Sequence, residues 1–147
     1  MKKTLIALAA ALALSTATAS ESVTWLTDAA KATQQAKTEN KLVLLNFTGS
    51  DWCGWCIKLQ KEVFTQPEFV TWAEKNIVAV EVDFPRKKKL ASEQAKVNDA
   101  LSEKFKIEGY PTLIILNGSG KKVAEMGYVK GGPKAFIAKF EELTKNK

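Results

Sequence analysis

The sequence predicts an α/β fold in which a mixed sheet is covered by helices on both faces. Three observations carry this. Strand-like apolar runs alternate with segments of helical periodicity along most of the chain. Two of those runs, Leu42 to Phe47 and Ile77 to Phe84, are nearly continuous in apolar residues, as strands buried on both faces are. The last two strands are separated by Asn117-Gly118-Ser119-Gly120, a hairpin turn, so the alternation closes with an antiparallel pair.

The elements follow in order. Thr27 is placed to cap a helix running to about Glu39, with Leu26, Ala30, Thr33 and Ala36 at helical spacing. Leu42 to Phe47 is a strand broken in polarity only by Asn46, and Thr48 to Asp51 is a turn. A helix then starts at Cys53-Gly54-Trp55-Cys56, with Cys56, Leu59, Val63 and Phe64 on its inner face. Thr65-Gln66-Pro67-Glu68 reads as a capping box with proline in the first turn of a short helix that buries Phe69, Trp72 and Ala73. Ile77 to Phe84 is the second strand, and Arg86 to Lys89 a basic loop. Ser92 to Phe105 is a helix with Val97, Leu101 and Phe105 on one face. Thr112 to Leu116 is a strand, and Lys121 to Met126 returns antiparallel to it. Gly132-Pro133 introduces a last helix with Phe136, Ile137, Phe140 and Leu143 inward. The predicted order is α-β-α-α-β-α-β-β-α.

Residues 1–19 stand apart. Lys2 and Lys3 precede the apolar run Leu5 to Leu14, and Ala17-Thr18-Ala19 supplies small residues for cleavage, which is the pattern of a secretory signal peptide. The apolar run is too short to span a bilayer comfortably. One domain, residues 20–147, is expected to remain, exported to an oxidising compartment: the periplasm or the outside. The net charge of +6 falls to +4 without Lys2 and Lys3. That is a mildly basic soluble surface, not a nucleic-acid footprint, because acidic residues are interleaved with the basic ones.

The chain has two cysteines and no histidine. A nucleophile paired with histidine is therefore excluded. A zinc site is disfavoured too, since two thiolates fall short of the usual four ligands unless a dimer shares them. No metal or other cofactor is expected. Cys53 and Cys56 form a lone Cys-x-x-Cys pair between a strand and a helix, which is the layout of a redox dithiol. One thiol can attack a partner disulfide while the other resolves the mixed disulfide. A purely structural bridge is the alternative, but closing so short a loop removes little entropy from the unfolded chain. At the first turn of a helix, the Cys53 sulfur would lie near unpaired N–H groups that favour the thiolate. Gly54 leaves room beside the sulfur, and Trp52 and Trp55 offer flat apolar surface for an extended protein segment.

Taken together, three motifs resemble the thioredoxin superfamily across the whole of residues 20–147. Trp52-Cys53-Gly54-Trp55-Cys56 follows an apolar strand, Gly109-Tyr110-Pro111-Thr112 precedes the third strand, and Gly127 ends the antiparallel one. The lead-in Phe47-Thr48-Gly49-Ser50-Asp51-Trp52 is most similar to small secreted bacterial members. The resemblance implies a thioredoxin-like three-layer α/β/α sandwich and a protein thiol-disulfide oxidoreductase, with a lean towards the reductive direction. It implies a cis Pro111 facing the dithiol, with Tyr110 contacting the substrate peptide. The partners would be protein disulfide substrates and a redox partner protein, membrane-embedded or a second thioredoxin-like domain, acting on a monomer. The alternative is a thioredoxin-like binding or chaperone module with a structural disulfide.

Two departures from the family pattern stand out. Gly54-Trp55 is neither the Gly-Pro of thioredoxins nor the Gly-His of disulfide isomerases. Asn46 stands where thioredoxins carry a buried aspartate, and an amide cannot take up a proton at ordinary pH. Glu81, which interrupts the second apolar strand, is the candidate acid/base in its stead. Asp51 would oppose a Cys53 thiolate if its charge lay near the sulfur. The run Arg86 to Lys89 is a solvated loop, or a basic patch on the edge that carries Cys53.

Overall fold

A computed structural model describes residues 21–146. The segment expected to be a signal peptide, residues 1–19, lies outside the described residues. The elements are β1 (Trp25–Leu26), α1 (Ala29–Glu39), β2 (Leu42–Thr48), α2 (Gly54–Leu59), which a π-helical turn over Gln60–Phe64 continues, α3 (Pro67–Asn76), β3 (Ile77–Asp83), α4 (Ser92–Phe105), β4 (Thr112–Leu116), β5 (Lys122–Met126) and α5 (Gly132–Thr144). The five strands form one sheet in the order β1-β3-β2-β4-β5. β1 and β2 run parallel to β3, whereas β4 is antiparallel to both β2 and β5. The sheet is mixed, as the sequence pattern predicts.

Alternation along the strands sends side chains to two cores. Leu44, Ala79, Leu113 and Ile115 pack under α3, α5 and the helix that begins at Gly54, with Phe69, Phe136, Leu59 and Val63. Val43, Leu45, Phe47, Val80 and Ile114 pack on the other face with Ala32 and Ala36 of α1 and with Leu101 and Phe105 of α4. The result is three layers. The first core is aromatic-rich: Phe136 meets Phe64 and Phe69 edge-on with ring centroids 5.6 and 5.5 Å apart. Each such fully buried ring stabilises the fold by about 1.5–3 kcal/mol through area removed from water.

Several local expectations are corrected. The two-residue strand β1 is too short to leave a periodic signal, yet it pairs Trp25 with Ala79 and so places Thr27 before the helix start. Asp28 is the cap: its backbone is extended and its Oδ1 accepts from Ala30 N at 2.9 Å and Lys31 N at 3.0 Å. The buried face of α1 is set by Ala32 and Ala36, and Ala30 is exposed. Thr65 closes the π-helical turn with helical backbone angles, so it cannot cap α3; Gln66, extended, takes that place without a side-chain cap. Pro67 does occupy the first turn. On α4, Val97 is exposed and Asn98 is buried, because the Asn98 amide donates to the Asp83 carbonyl at 2.8 Å. In the β4–β5 turn, Gly120 has φ +77°, a value that excludes most side chains. The Tyr110–Pro111 peptide bond before β4 is cis.

Candidate functional site

The dithiol sits where β2 hands over to α2. The turn after β2 is closed by Trp52 N and Cys53 N, which donate to the Gly49 carbonyl at 3.2 and 2.9 Å. Cys53 is the N-cap of α2, extended in backbone, and its Sγ accepts from Cys56 N at 3.3 Å. Cys53 and Cys56 are joined by a disulfide with Cα atoms 5.2 Å apart. Both are nearly covered, 7% and 5% exposed. At Gly54 a Cβ would meet nothing within 4 Å, so the approach past this residue is open.

The two tryptophans have different surroundings. Trp52 is half-buried and locked: its Nε1 donates to the Phe84 carbonyl at 2.7 Å. Its indole lies so close over Gly49 that a Cβ there would come within 2.6 Å of Nε1. Trp55 is 57% exposed and leans on Tyr128, ring centroids 5.1 Å apart. Lys58 lies over both of those rings, and the Tyr128 hydroxyl donates to Glu62. Ile57, 49% exposed, extends the apolar rim. Tyr110 meets Trp52 edge-on with centroids 5.9 Å apart, which brings the segment before β4 against the Cys53 turn.

Behind Cys56 lies a polar chamber of about 190 Å³ lined by Asn46, Thr48, Ser50, Cys56, Ile57, Gln60 and Glu81. The lining follows from strand register. Asn46 and Glu81 are partners across β2 and β3, as are Thr48 and Asp83, and all four continue the face that carries Leu44 and Ala79. Asn46 is buried, and its Oδ1 has no hydrogen-bond partner among the described residues. Glu81 is half-buried; desolvation raises its pKa above the usual carboxylate value, the Asp83 charge adds to the rise, and Lys88 opposes it. Asp83 is buried and accepts from Ser50 N at 2.9 Å, Ser50 Oγ at 2.6 Å and Lys88 Nζ at 2.9 Å.

Asp51 turns to the loop after β3. Its carboxylate accepts from the backbone N–H of Arg86 at 2.9 Å, Lys87 at 2.8 Å and Lys88 at 3.1 Å. The Arg86 hydrogen bond is the largest cause of a pKa held below the ordinary aspartate value. The basic loop is therefore tied to the dithiol turn, and the Arg86 guanidinium lies 3.7 Å from the centre of the Trp52 ring.

The sequence singled out Cys53, Cys56, Trp52, Gly54, Trp55, Tyr110, Pro111 and Glu81, and it did not single out Asp83, Ser50, Tyr128 or Lys58. Asp83 had a signal: two residues after Glu81 on a strand, it must share that face. The Ser50–Asp83 contact spans 33 positions and leaves no local trace. Among the described residues, no three potential metal ligands come together, and no helix is long and apolar enough to cross a membrane.

Comparison with known proteins agrees with this geometry. The chain is 39% identical over 116 residues to the disulfide bond reductase DsbH of Chlamydia pneumoniae, covering 79% of this chain and 70% of that protein. It is 34% identical over 108 residues to the thioredoxin-related protein DsbJ of the same organism, covering 74% of this chain but only 31% of that longer protein. A solved structure of a DsbH oxidoreductase superposes with a TM-score of 0.81 at 34% identity, covering 95% of this chain and 96% of the other. The oxidised C-terminal domain of DsbD from Neisseria meningitidis shares the fold, with a TM-score of 0.57 at 21% identity, over 81% of this chain and 98% of that domain. Residues 29–144 match the family model of the thioredoxin-like domain, and with a dithiol at the head of α2 the chain belongs to that family.

Proposed function

We propose that this protein is an exported thiol-disulfide oxidoreductase that reduces disulfides in protein substrates through Cys53 and Cys56. The observation that carries the reading is the Cys53 sulfur at a helix N-terminus, accepting the Cys56 N–H and bonded to Cys56. Positive potential at that position favours the thiolate over the thiol once the bridge is reduced.

In the reduced protein, the Cys53 thiolate attacks one sulfur of a substrate disulfide. A Cys53–substrate disulfide forms, and the other substrate sulfur leaves as a thiolate that takes a proton from water. Cys56 then loses its proton into the polar chamber and attacks the Cys53 sulfur. The Cys53–Cys56 disulfide forms as the Cys53–substrate bond breaks, and the departing substrate thiolate takes a proton from water, so that the substrate leaves as a dithiol, reduced by two electrons. Glu81 is the acid/base there: a carboxylate with a raised pKa accepts a proton near neutral pH more readily than an ordinary one. A dithiol on a partner protein, membrane-embedded or in a second thioredoxin-like domain, returns the two electrons. Trp55, Trp52 and the open side of Gly54 form the surface on which the substrate lies, bounded by Tyr110 and Pro111. Residues 1–19 act as a cleaved signal peptide that delivers the protein to the periplasm or beyond, an oxidising location in which protein disulfides form and persist.

The deciding experiment is the reduction potential of the pair by equilibrium with glutathione. A value near about −270 mV supports the reductive direction, whereas one near about −120 mV makes the protein an oxidant. A bridge in the parent protein that resists reduction to well below about −300 mV, together with a Cys53→Ser variant that keeps the biological activity, would overturn the exchange reading.

A further inference from the structure

On the Trp52 flank of the dithiol, the structure assigns Arg86 to a docking subsite for an acidic side chain next to the substrate cysteine. The partner is an extended protein segment with aspartate or glutamate flanking its disulfide. This deepens the exchange reading and rests on it.

Three observations converge. The first is rigidity. The segment from Phe84 to Lys88 is fastened to the dithiol turn by Phe84 N to the Thr48 carbonyl, Trp52 Nε1 to the Phe84 carbonyl, and the three N–H groups held by Asp51. A loop so tied holds Arg86 in place before a partner arrives, which lowers the ordering cost of binding. The second is orientation. The guanidinium carbon lies 3.7 Å from the centre of the Trp52 ring, one residue from Cys53. Its N–H donors lie in the plane of the group, and the Arg86 side chain has no ion-pair partner among the described residues. A planar fork with unspent donors suits a carboxylate, which it can bind through two parallel hydrogen bonds.

The third observation is the surrounding charge. Lys87 and Lys89 are exposed beside Arg86, while Lys88 is engaged with buried Asp83. The Asp51 carboxylate is turned to the loop backbone and three N–H groups satisfy it. Cations therefore outnumber anions on this flank. Asp99 lines the hollow beside Arg86, Lys88 and Lys89, and it also lines the hollow next to the Tyr110 ring with Glu103, Glu108 and Lys106.

The test compares three synthetic disulfide-linked peptides whose cysteine is flanked on both sides by aspartate, serine or lysine. Each is reduced by the dithiol form of the protein, and each rate is divided by that of the same peptide with dithiothreitol, which removes intrinsic reactivity. The aspartate peptide should be favoured over the serine peptide about fivefold at low salt and less than about twofold at 0.5 M salt. Arg86→Gln should bring the ratio close to one, and Arg86→Glu should turn it in favour of the lysine peptide. Equal normalised rates for the three peptides, or an undiminished preference in Arg86→Gln, would overturn the subsite while leaving exchange intact. Failure to reduce any of the three would overturn the exchange reading and the subsite with it.

Discussion

Asn46 and Glu81 are register partners on adjacent parallel strands, and both line the chamber that Cys56 closes from above. The first is an amide that stays neutral, and its Oδ1 has no partner among the described residues. The second is an acid that desolvation keeps protonated to higher pH than usual. The proton content of the space behind the inner sulfur is therefore governed from β3, one strand further from the dithiol than the strand that leads into it.

Glu81 couples stability to pH. Its folded pKa is raised above the ordinary glutamate value of 4.5, so between those two values the folded protein holds a proton that the unfolded chain has released. Stability falls as pH rises through that window and stays lower above it. Glu81→Gln removes the cost. Thermal melts of the oxidised protein should give equal melting temperatures for parent and variant near pH 4, with the variant increasingly ahead towards pH 8. A gap independent of pH would refute this.

The same substitution should slow resolution. With no carboxylate to take the Cys56 proton, Glu81→Gln should accumulate the Cys53–substrate disulfide and lower turnover at pH 7 by about a hundredfold, the lower end of the range for loss of a general base. The deficit should shrink at high pH, where the thiol ionises unaided. Acid-quenched mass spectrometry of the mixed disulfide measures both. An equal deficit at every pH would mean that Glu81 acts only through structure.

Asp83 holds the chamber wall. Asp83→Ala leaves the Ser50 N–H and hydroxyl without their acceptor and frees Lys88. Unfolding in denaturant should show a loss of about 2 kcal/mol, typical of a buried donor stranded by loss of its partner. Asp83→Asn, which keeps one acceptor oxygen, should lose less.

Asp51 fixes the basic loop. Its pKa is lowered chiefly by the Arg86 N–H, so the contribution is present above the ordinary value of 3.8 and is lost as pH falls through the lower folded value. In Asp51→Ala, hydrogen exchange at the amides of Arg86, Lys87 and Lys88 should accelerate by about tenfold or more, while β2 and β3 amides keep their protection. Unaltered exchange at those three amides would show that the loop is held by other means.

Much of this architecture was legible where the signal is local. The bounds of α4 and β4 match the periodicity residue for residue, because an amphipathic run and a hairpin turn each carry their own punctuation. Features decided by distant partners were not. Val97 is as apolar as a core residue, yet Asn98 takes the inward place to satisfy the Asp83 carbonyl. The paired cysteines are three positions apart and announced themselves. Glu81 stood out as a charge in an apolar strand. The clamp of Asp51 on a loop 35 to 37 positions away could not be read, since nothing in either segment names the other.

The four tryptophans divide evenly. Trp52 and Trp55 flank the sulfurs, while Trp25 and Trp72 pack against the phenylalanine cluster, Trp25 on Phe64 and Trp72 on Phe69 and Phe140. Disulfides quench nearby indole emission, so the first pair brightens when the bridge opens, whereas the second pair changes only when the core comes apart. A single fluorescence spectrum of the unlabelled protein thus holds two readouts, one of oxidation state and one of folding, and single tryptophan-to-phenylalanine replacements would separate them.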